Sequence, residues 1–450
     1  MRQDRRRFLA ATGTAFAGFA LSSCASRSAT SGPVPLAMGA ASRDAGDSVL
    51  GPLVKDPAGL LDLPRGFSYQ IISELGREMN DGFKVPDAAD GMGCFDLGNG
   101  ELALVRNHEL VPQEPTGDVM QPAYDTIADT GIPLPGGTTT LVLDAKTLQL
   151  KREYRSLIGT IRNCSGGTTP WGSWLTCEEA VVSGHPQLHQ EHGFVFEVPA
   201  DAGGLVDPVP LTAMGQFNHE AACVDPVTGT VYLTEDRNES LFYRFLPKEK
   251  GNLQAGGVLQ ALALADVPDT RNWGDAPDIA VGQAISGQWI TLEDVLAPDD
   301  DLRLRGAALG ATVFARGEGV FMGEDELYFT ATSGGVAKEG QIFRLRPSRQ
   351  QSKTDMLDLF FESGSTDQYS FGDNVCVAPY GHLVVCEDQY TDVVNNHLRG
   401  ITPDGASYPL AQLNRQTELA GACFSPDGRT LFVNAYSPTI TLAIQGPWPV

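Results

Sequence analysis

The chain has 450 residues, with 32 Lys and Arg against 56 Asp and Glu, and its formal net charge is −24. This acidity argues against a nucleic-acid ligand, because nucleic-acid affinity comes mainly from Lys and Arg on phosphates, and we expect no nucleic-acid partner. The excess of carboxylates fits either a solvated surface or sites for hard cations, which need oxygen ligands. The 50 Gly and 29 Pro residues indicate many short strands joined by turns, and so an all-β fold.

The first 24 residues have the features of an export signal. Three consecutive arginines, residues 5–7, precede Phe-Leu and a run of small apolar residues, which is typical of a twin-arginine signal. We therefore expect export by the twin-arginine translocation machinery and a periplasmic or extracellular location. Cys24 ends a Leu-Ser-Ser-Cys sequence that resembles a lipoprotein cleavage box. A lipid anchor at Cys24 and ordinary signal cleavage nearby are the two alternatives. Residues 25–50 are mostly small and polar and are predicted to form a disordered tether.

Six segments of the remaining chain share one pattern, a turn followed by a short apolar strand. These segments are 98–106, 170–178, 226–235, 323–330, 379–387 and 426–434. Units of several strands that recur every roughly 50 to 90 residues are typical of propeller blades. The sequence therefore predicts a six-bladed β-propeller with loop insertions over residues 51–450.

A second recurring position lies a few residues before each turn glycine. The residues at this position are Asp90 or Gly91, Cys164, Glu220, Glu318, Asp373 and Ala420. In a propeller it would lie beside the central channel. Carboxylates that converge on a channel repel one another unless cations neutralise them. The pattern therefore predicts a metal site.

Polar residues also follow the apolar strand of several repeats. They are Asn107-His108-Glu109, Glu178-Glu179, Glu235-Asp236 and Glu387-Asp388. For any one of them, the alternative is a loop that merely needs polar residues. His108 and His219 each belong to an Asn-His-Glu triplet and could be ligands or hydrogen-bonded supports.

Cys164 differs from the other cysteines of the repeats. Cys94, Cys223, Cys376 and Cys423 share one repeat position, and Cys177 and Cys386 share another, so we interpret these six as buried structural residues. Only Cys164 stands where other repeats place a carboxylate. Carboxylates with one thiolate suit calcium together with iron, because calcium takes oxygen ligands and iron accepts mixed oxygen and sulfur.

Four arginines lie within a few residues of the proposed ligands: Arg106, Arg162, Arg237 and Arg316. Cations and arginines around one pocket are what a phosphoryl group requires, because its transition state spreads negative charge over several oxygens. Surface solvation is the alternative for each of them. The chain has no Gly-x-Ser-x-Gly elbow and no Gly-x-x-x-x-Gly-Lys phosphate loop.

The chain resembles the bacterial PhoX alkaline phosphatases from about residue 51 to the C-terminus. The motifs that carry the resemblance include Val105-Arg-Asn-His-Glu109, the stretch from Asn163 to Glu179, Phe217-Asn-His-Glu220 and Phe314-Ala-Arg-Gly-Glu-Gly319. The resemblance implies a six-bladed propeller that holds iron and calcium in its channel and hydrolyses phosphomonoesters. It also implies Cys164 as the iron ligand, with carboxylate ligands Glu109, Glu179, Glu220, Glu318 and Glu387. Gly317 stands where the family motif has proline, and the chain looks shorter than many members of the family, which leaves the substrate range open.

The sequence thus predicts a monomeric Fe(III)- and Ca²⁺-dependent phosphomonoesterase. Its predicted metal ligands are Cys164, Glu109, Glu178, Glu179, Glu220, Glu318, Asp373, Glu387 and Asp388, and its predicted catalytic residues are Arg106, Arg237 and Arg316. Two other classes of function are kept as alternatives. One is a calcium-dependent lactonase, which would need no thiol, and the other is a non-catalytic exported propeller that binds a partner.

Overall fold

A computed structural model describes residues 43–44, 49–114, 119–274, 278–349, 354–389 and 391–449. The chain divides into two units, Met1–Met38 and Gly39–Val450, and the first of them lies outside the described residues. The predicted export signal and Cys24 therefore lie outside them as well. Within the predicted tether, residues 43–44 form a short strand that pairs in parallel with residues 406–407. No helix of the described chain has the length and apolar character that a membrane crossing requires.

The regular secondary structure of the described chain consists almost entirely of β-strands. In chain order they are β1 (Arg43–Asp44), β2 (Leu53–Val54), β3 (Leu61–Pro64), β4 (Ser68–Glu74), β5 (Ala89–Gly98), β6 (Glu101–His108), β7 (Gly136–Asp144), β8 (Leu150–Thr160), β9 (Asn163–Thr168), β10 (Ser173–Glu178), β11 (Val195–Pro199), β12 (His219–Val224), β13 (Val231–Glu235), β14 (Tyr243–Pro247), β15 (Gly257–Leu264), β16 (Ala284–Thr291), β17 (Gly317–Met322), β18 (Leu327–Ala331), β19 (Gln341–Arg346), β20 (Asp355–Glu362), β21 (Gly372–Val377), β22 (Leu383–Glu387), β23 (His397–Ile401), β24 (Ala406–Leu413), β25 (Leu419–Phe424), β26 (Thr430–Ala435) and β27 (Ile440–Gln445). One α-helix, α1 (Leu302–Ala308), and two short 3₁₀ turns accompany them. The all-β prediction is confirmed.

The strands form five sheets in a propeller-like arrangement. Four sheets are separate: β5–β8, β9–β11, β25–β27 with β4, and β21–β24 with β1, β2 and β3. The fifth has nine strands, in the order β12, β13, β14, β15, β16, β20, β19, β18, β17. The repeats predicted six separate blades. The hydrogen bonding instead gives five sheets, because the nine-stranded sheet is not divided. The reason is β16, which lies in a segment outside the repeat pattern and pairs with β15 on one side and β20 on the other.

The first strands of the repeats form a closed ring. β5, β9, β12, β17, β21 and β25 each contact the next in this order, and β25 contacts β5. The backbones approach closely, since a Cβ on Gly167 would collide with the Ala222 carbonyl and a Cβ on Gly421 with that of Asp90. Two early strands join the last two sheets of the chain, because β4 pairs with β27 and β3 with β24. At positions 167 and 421, only glycine allows the neighbouring first strands to approach so closely without displacing the backbone.

Arg106 is a buried structural residue. Its guanidinium donates to Glu153 Oε1 at 3.0 Å and to the hydroxyl groups of Thr139 and Thr441. These partners belong to β8, β7 and β27, so Arg106 connects the first and last sheets of the ring. The prediction that Arg106 is catalytic is corrected accordingly: this side chain is fully buried and its donors serve the packing of the sheets.

In two predicted ligand pairs, Glu178-Glu179 and Glu387-Asp388, the first carboxylate accepts hydrogen bonds from protein groups at both of its oxygens. Glu178 accepts the backbone N–H groups of residues 161, 193 and 194, and its Oε1 lies 2.7 Å from His192 Nδ1. Glu387 accepts the N–H groups of residues 370 and 397, and Arg399 Nε donates to it at 2.7 Å. Both oxygens of each carboxylate are taken in this way. The prediction of Glu178 and Glu387 as metal ligands is corrected, because a ligand needs an oxygen available to the cation.

A buried carboxylate–imidazole–carboxylate group supports the end of β10. His192 lies between Glu178 and Asp125, whose Oδ2 is 3.2 Å from His192 Nε2, and all three side chains are inaccessible to solvent. Burial alone would lower the pKa of His192, but the charges of Glu178 and Asp125 outweigh it and raise the pKa to about 9. His192 is therefore protonated at neutral pH, and its charge offsets the two buried carboxylates.

This group predicts a pH-dependent stability. Because the folded-state pKa of His192 is above that of an unfolded histidine, the stabilisation is complete below about pH 6.5 and is lost as the pH rises through about 9. We expect His192 to account for a fall of about 3 kcal/mol in the free energy of unfolding between about pH 6 and about pH 10. Guanidinium chloride denaturation of the wild type and a His192→Gln variant at both pH values measures this. The stability difference between the two proteins should shrink at the higher pH, and an equal difference at both would contradict the assignment.

Candidate metal centre

Six residues occupy one equivalent place in the ring of first strands. We call the second residue of each first strand the inner position, and its occupants are Asp90, Cys164, Glu220, Glu318, Asp373 and Ala420. All six are buried. The sequence left Asp90 and Gly91 as alternatives in the first repeat, and the structure assigns Asp90.

Irregular backbone next to the inner position explains why these side chains are turned out of the sheet pattern. The register with the second strand shifts between Ala89 and Met92, and equivalent shifts flank Glu220, Glu318 and Asp373. Two residues before the inner position the backbone is left-handed in four repeats, at Ala88, Arg162, Arg316 and Phe371, with φ between 48° and 54°. β-bulges next to functional sites re-aim side chains in this way.

A second set of residues faces the inner position. We call the residue directly after each second strand the outer position, and its occupants are Glu109, Glu179, Asp236, Thr332, Asp388 and Tyr436. In four repeats the N–H group of this residue donates at 2.9 Å to the carbonyl of the left-handed residue, namely Ala88, Arg162, Arg316 or Phe371. The same local geometry therefore places the outer residue beside the inner one in these four repeats.

Cys164 is the common member of two close groups of donor atoms. Asp90, Glu109 and Cys164 each offer one atom within 4.8 Å of the others, and so do Cys164, Glu179 and Glu220. The Cys164 Sγ lies 3.6 Å from Asp90 Oδ2. The structure thus brings together the predicted ligands Cys164, Glu109, Glu179 and Glu220, and it adds Asp90.

The predicted ligands Glu318, Asp373 and Asp388 interact electrostatically with one another and with Asp236. Burial raises the pKa of Asp373 well above its usual value, and the negative charges of Asp90 and Asp388 raise it further. Burial and then Asp236, Asp373 and Asp388 raise the pKa of Glu318, although Arg316 opposes this. These mutual effects show that the carboxylates act on one another as a single electrostatic unit.

The thiol side of the cluster is equally unfavourable for negative charge. Burial raises the pKa of Cys164 well above its usual value, followed by the charges of Asp90, Glu220, Glu109 and Glu179. Burial raises the pKa of Glu179 to about 7, although Arg162 opposes it. Without a cation, these groups therefore keep their protons up to a higher pH than a free thiol or carboxyl group does.

The donor set fits a metal cluster. Glu220 Oε1 is buried and has no hydrogen-bond partner among the described residues, which is costly unless a cation binds it. Clustered carboxylates supply oxygen for hard cations, and the thiol adds a ligand that transition metals prefer. Iron and calcium, which were expected from the sequence, are both compatible with these ligands.

Three arginines lie at the cluster. Arg162 donates to Glu109 at 2.6 Å and to Glu179 at 2.5 Å, and Arg316 donates to Asp236 at 2.8 Å and to Glu318 at 2.5 Å. Arg237, the third, donates to Asp300 and to Asn218. All three are partly exposed, so their positive charge reaches both the carboxylates and solvent.

The sixth repeat contributes no carboxylate. Its inner position is Ala420, and its outer residue, Tyr436, donates its hydroxyl to Glu109 Oε2 at 2.7 Å. The cluster is therefore asymmetric, with the thiol side in the second repeat and a side without acids in the sixth.

The predicted set missed Asp90, Asp236 and Arg162 as site residues. Asp90 and Asp236 occupy the inner and outer positions, so strict use of the repeat alignment would have selected them and rejected Glu178 and Glu387. Arg162 could have been found from its place two residues before Cys164, which matches that of Arg316 before Glu318.

Comparison with known proteins identifies the family of this chain. The family model for alkaline phosphatase PhoX matches residues 48–151 and 143–439, and no curated protein matches. Pseudomonas fluorescens PhoX, solved in complex with vanadate, a transition-state analogue, has 20% identity and a TM-score of 0.68, covering 91% of this chain and 98% of its own. A Xanthomonas campestris gluconolactonase has 13% identity and a TM-score of 0.45, covering 88% and 98%. At such identities a structural likeness concerns the fold alone, but the family model spans most of the sequence, and the chain belongs to the PhoX family of alkaline phosphatases.

Proposed function

We propose that this protein hydrolyses phosphomonoesters outside the cytoplasm, at a cluster of iron and calcium ions in its propeller channel. As a member of the PhoX family it is a metal-dependent alkaline phosphatase. The observation that carries the finer proposal is the single thiol, Cys164, which two close groups of buried carboxylates share. The arginine-rich N-terminus and the Leu-Ser-Ser-Cys sequence support export and a lipid anchor at Cys24.

We further propose that the propeller has six blades. The nine-stranded sheet then counts as two blades, one containing β12–β15 and one containing β17–β20, joined edge to edge by β16. The closed ring of six first strands supports this count, as does the repetition of the inner position in each of them.

The donor chemistry suggests how the two metals would be distributed. Cys164 with Asp90, Glu109, Glu179 and Glu220 would hold iron, because only this side of the cluster offers a thiolate. Asp236, Glu318, Asp373 and Asp388 offer oxygen alone and would hold calcium.

The chain's own residues would bind and orient the phosphate ester. Bound iron and calcium supply the positive charge that polarises a phosphoryl group. Arg162, Arg237 and Arg316 present guanidinium groups at the same place, and their planar donor pattern matches phosphoryl oxygens. They would stabilise the charge that develops on these oxygens as the alcohol leaves. The pKa of the Asp236 carboxyl, which burial alone would raise, is lowered by Arg316, so this carboxylate stays ionised and keeps Arg316 oriented.

The two other classes of function considered from the sequence have less support. A lactonase that uses one calcium needs no thiol among its ligands, and a non-catalytic propeller needs neither the buried cluster nor the three arginines. The family match and the position of Cys164 both favour the phosphatase.

Replacing Cys164 tests the metal assignment. We expect Cys164→Ser to lose iron and to reduce phosphomonoesterase activity at least about 100-fold, because the alcohol is a poor replacement for a thiolate ligand. Metal analysis and an activity assay at alkaline pH measure both. Cys94→Ser is the matched control, since Cys94 lies outside both ligand groups and should keep metal and activity. Full iron content in Cys164→Ser would refute the assignment.

Replacing Arg316 tests the role of the arginines. We expect Arg316→Gln to lower kcat/KM about 100-fold while iron and calcium content stay at wild-type levels, because the guanidinium stabilises the phosphoryl group and ligates no metal. Arg344→Gln is the control: Arg344 is 25% exposed against 18% for Arg316, and Arg346 still pairs with its partner Asp358 after the substitution. An unchanged kcat/KM in Arg316→Gln, or loss of metal from it, would contradict this role.

A further inference from the structure

We infer that Asn107, Thr234, Thr330 and Asn434 are positioning residues that hold the metal ligands of neighbouring strands in place. Each is the penultimate residue of the second strand of its repeat, in β6, β13, β18 and β26 respectively. All four side chains are completely buried. This inference rests on the proposed metal centre and adds residues that are not themselves ligands.

Each of the four donates a hydrogen bond to the backbone carbonyl of an inner-position residue. The acceptor always lies in the first strand that follows in the ring. The bonds are Asn107 Nδ2 to Cys164 O at 3.1 Å, Thr234 Oγ1 to Glu318 O at 2.5 Å, Thr330 Oγ1 to Asp373 O at 3.0 Å, and Asn434 Nδ2 to Asp90 O at 2.7 Å. We call these four bonds the inter-strand latches.

The latches satisfy carbonyl groups that the bulges displace from the regular sheet. A bulge leaves a residue outside the ladder of backbone hydrogen bonds, and a buried carbonyl without a partner is costly. The repetition of one solution at four places indicates a common role. All four hydrogen bonds end at the inner position, where the proposed metal ligands are.

Other contacts fix the latch side chains themselves. Asn107 Oδ1 accepts from Trp174 Nε1 at 2.9 Å, and Asn434 Oδ1 accepts from Thr441 Oγ1 at 2.6 Å. The Thr234 hydroxyl also accepts the N–H group of Ala221 at 3.0 Å. Because Ala221 follows Glu220, one hydroxyl group connects the backbones of two metal-ligand positions, Glu220 and Glu318.

The two remaining second strands carry a thiol at the latch place. Cys177 in β10 precedes the strand of Glu220, and Cys386 in β22 precedes that of Ala420. Thiols are weak donors. Glu220 is instead fixed through Ala221 by Thr234, and Ala420 ligates nothing. The amide and hydroxyl donors thus bond to the positions of the proposed ligands Asp90, Cys164, Glu318 and Asp373. A purely architectural hydrogen bond would not need to be confined to ligand positions.

The latches should therefore affect metal affinity more than they affect folding. The ligands repel one another, so each backbone must be held against displacement if the donor atoms are to remain at cation-binding distance. A residue that fixes a ligand in this way typically contributes about 10- to 100-fold to metal affinity.

The test compares three variants with the wild type. Thr234→Val keeps the shape and removes the hydroxyl, Thr234→Ser keeps the hydroxyl, and Thr312→Val removes a buried bridging hydroxyl elsewhere, which joins Leu264 N to Val267 O. Chelator-treated proteins are titrated with Ca²⁺ and with iron to obtain Kd, and the Tm of each metal-free protein is measured. We expect Kd to rise about 10- to 100-fold in Thr234→Val and to stay within about 3-fold of wild type in the other two. The Tm of the metal-free protein should fall equally in Thr234→Val and Thr312→Val.

The outcomes separate this inference from the proposed function. Wild-type affinity in Thr234→Val, or equal losses in Thr234→Val and Thr234→Ser, would overturn the latch role while leaving the metal centre intact. A wild-type protein that binds neither metal would overturn the proposed function itself. If Thr234→Val does not fold, the same comparison is made with Thr330→Val and Thr330→Ser, and the same results decide it.

Discussion

The buried acids at the inner positions repel one another, and the surrounding structure must hold them together despite this repulsion. Asp90, Glu220, Glu318 and Asp373 converge with Cys164 on one small region, and burial and neighbouring charge raise the pKa of the thiol and of several carboxyl groups. Such a group holds together only if the backbone is fixed and positive charge is near. The bulges, the left-handed residues before the inner position and the latches fix the backbone. Arg162 and Arg316 supply part of the charge, and bound cations would supply the rest.

Adjacent acids in this chain have different functions, and their partners decide which. In the pairs Glu178-Glu179 and Glu387-Asp388, the first carboxylate is occupied by backbone N–H groups and a cationic side chain, while the second faces the cluster. Glu235 follows this rule only in part: Tyr243 donates to its Oε2 at 2.7 Å and Arg303 lies 3.6 Å from its Oε1, while its neighbour Asp236 binds Arg316. The first acid anchors the end of the strand, and this anchoring places the second acid at the channel.

Much of this arrangement could be predicted from the sequence because it is repeated. The turn glycines and apolar strands located all six second strands, and the inner positions followed from their place a few residues before the turn glycine. The errors concern partners that are distant in sequence. His192 and Arg399 occupy Glu178 and Glu387, Thr441 and Glu153 hold Arg106, and β16 joins two groups of strands, and none of these contacts has a local signal. The family resemblance was informative because the Asn-Cys-x-x-Gly-x-Thr-Pro-Trp-Gly core of residues 163–172 is specific, but it also implied Glu387 as a ligand.

Metal analysis coupled to removal and restoration of activity would decide whether hydrolysis depends on an iron and calcium cluster. The purified full-length protein is assayed for iron and calcium and for phosphomonoester hydrolysis, then treated with a chelator and supplied with each metal alone and with both. We expect that iron and calcium are both present in the active protein, that chelation abolishes hydrolysis, and that only both metals together restore it fully. Undiminished hydrolysis by the metal-free protein, or full restoration by calcium alone, would contradict it.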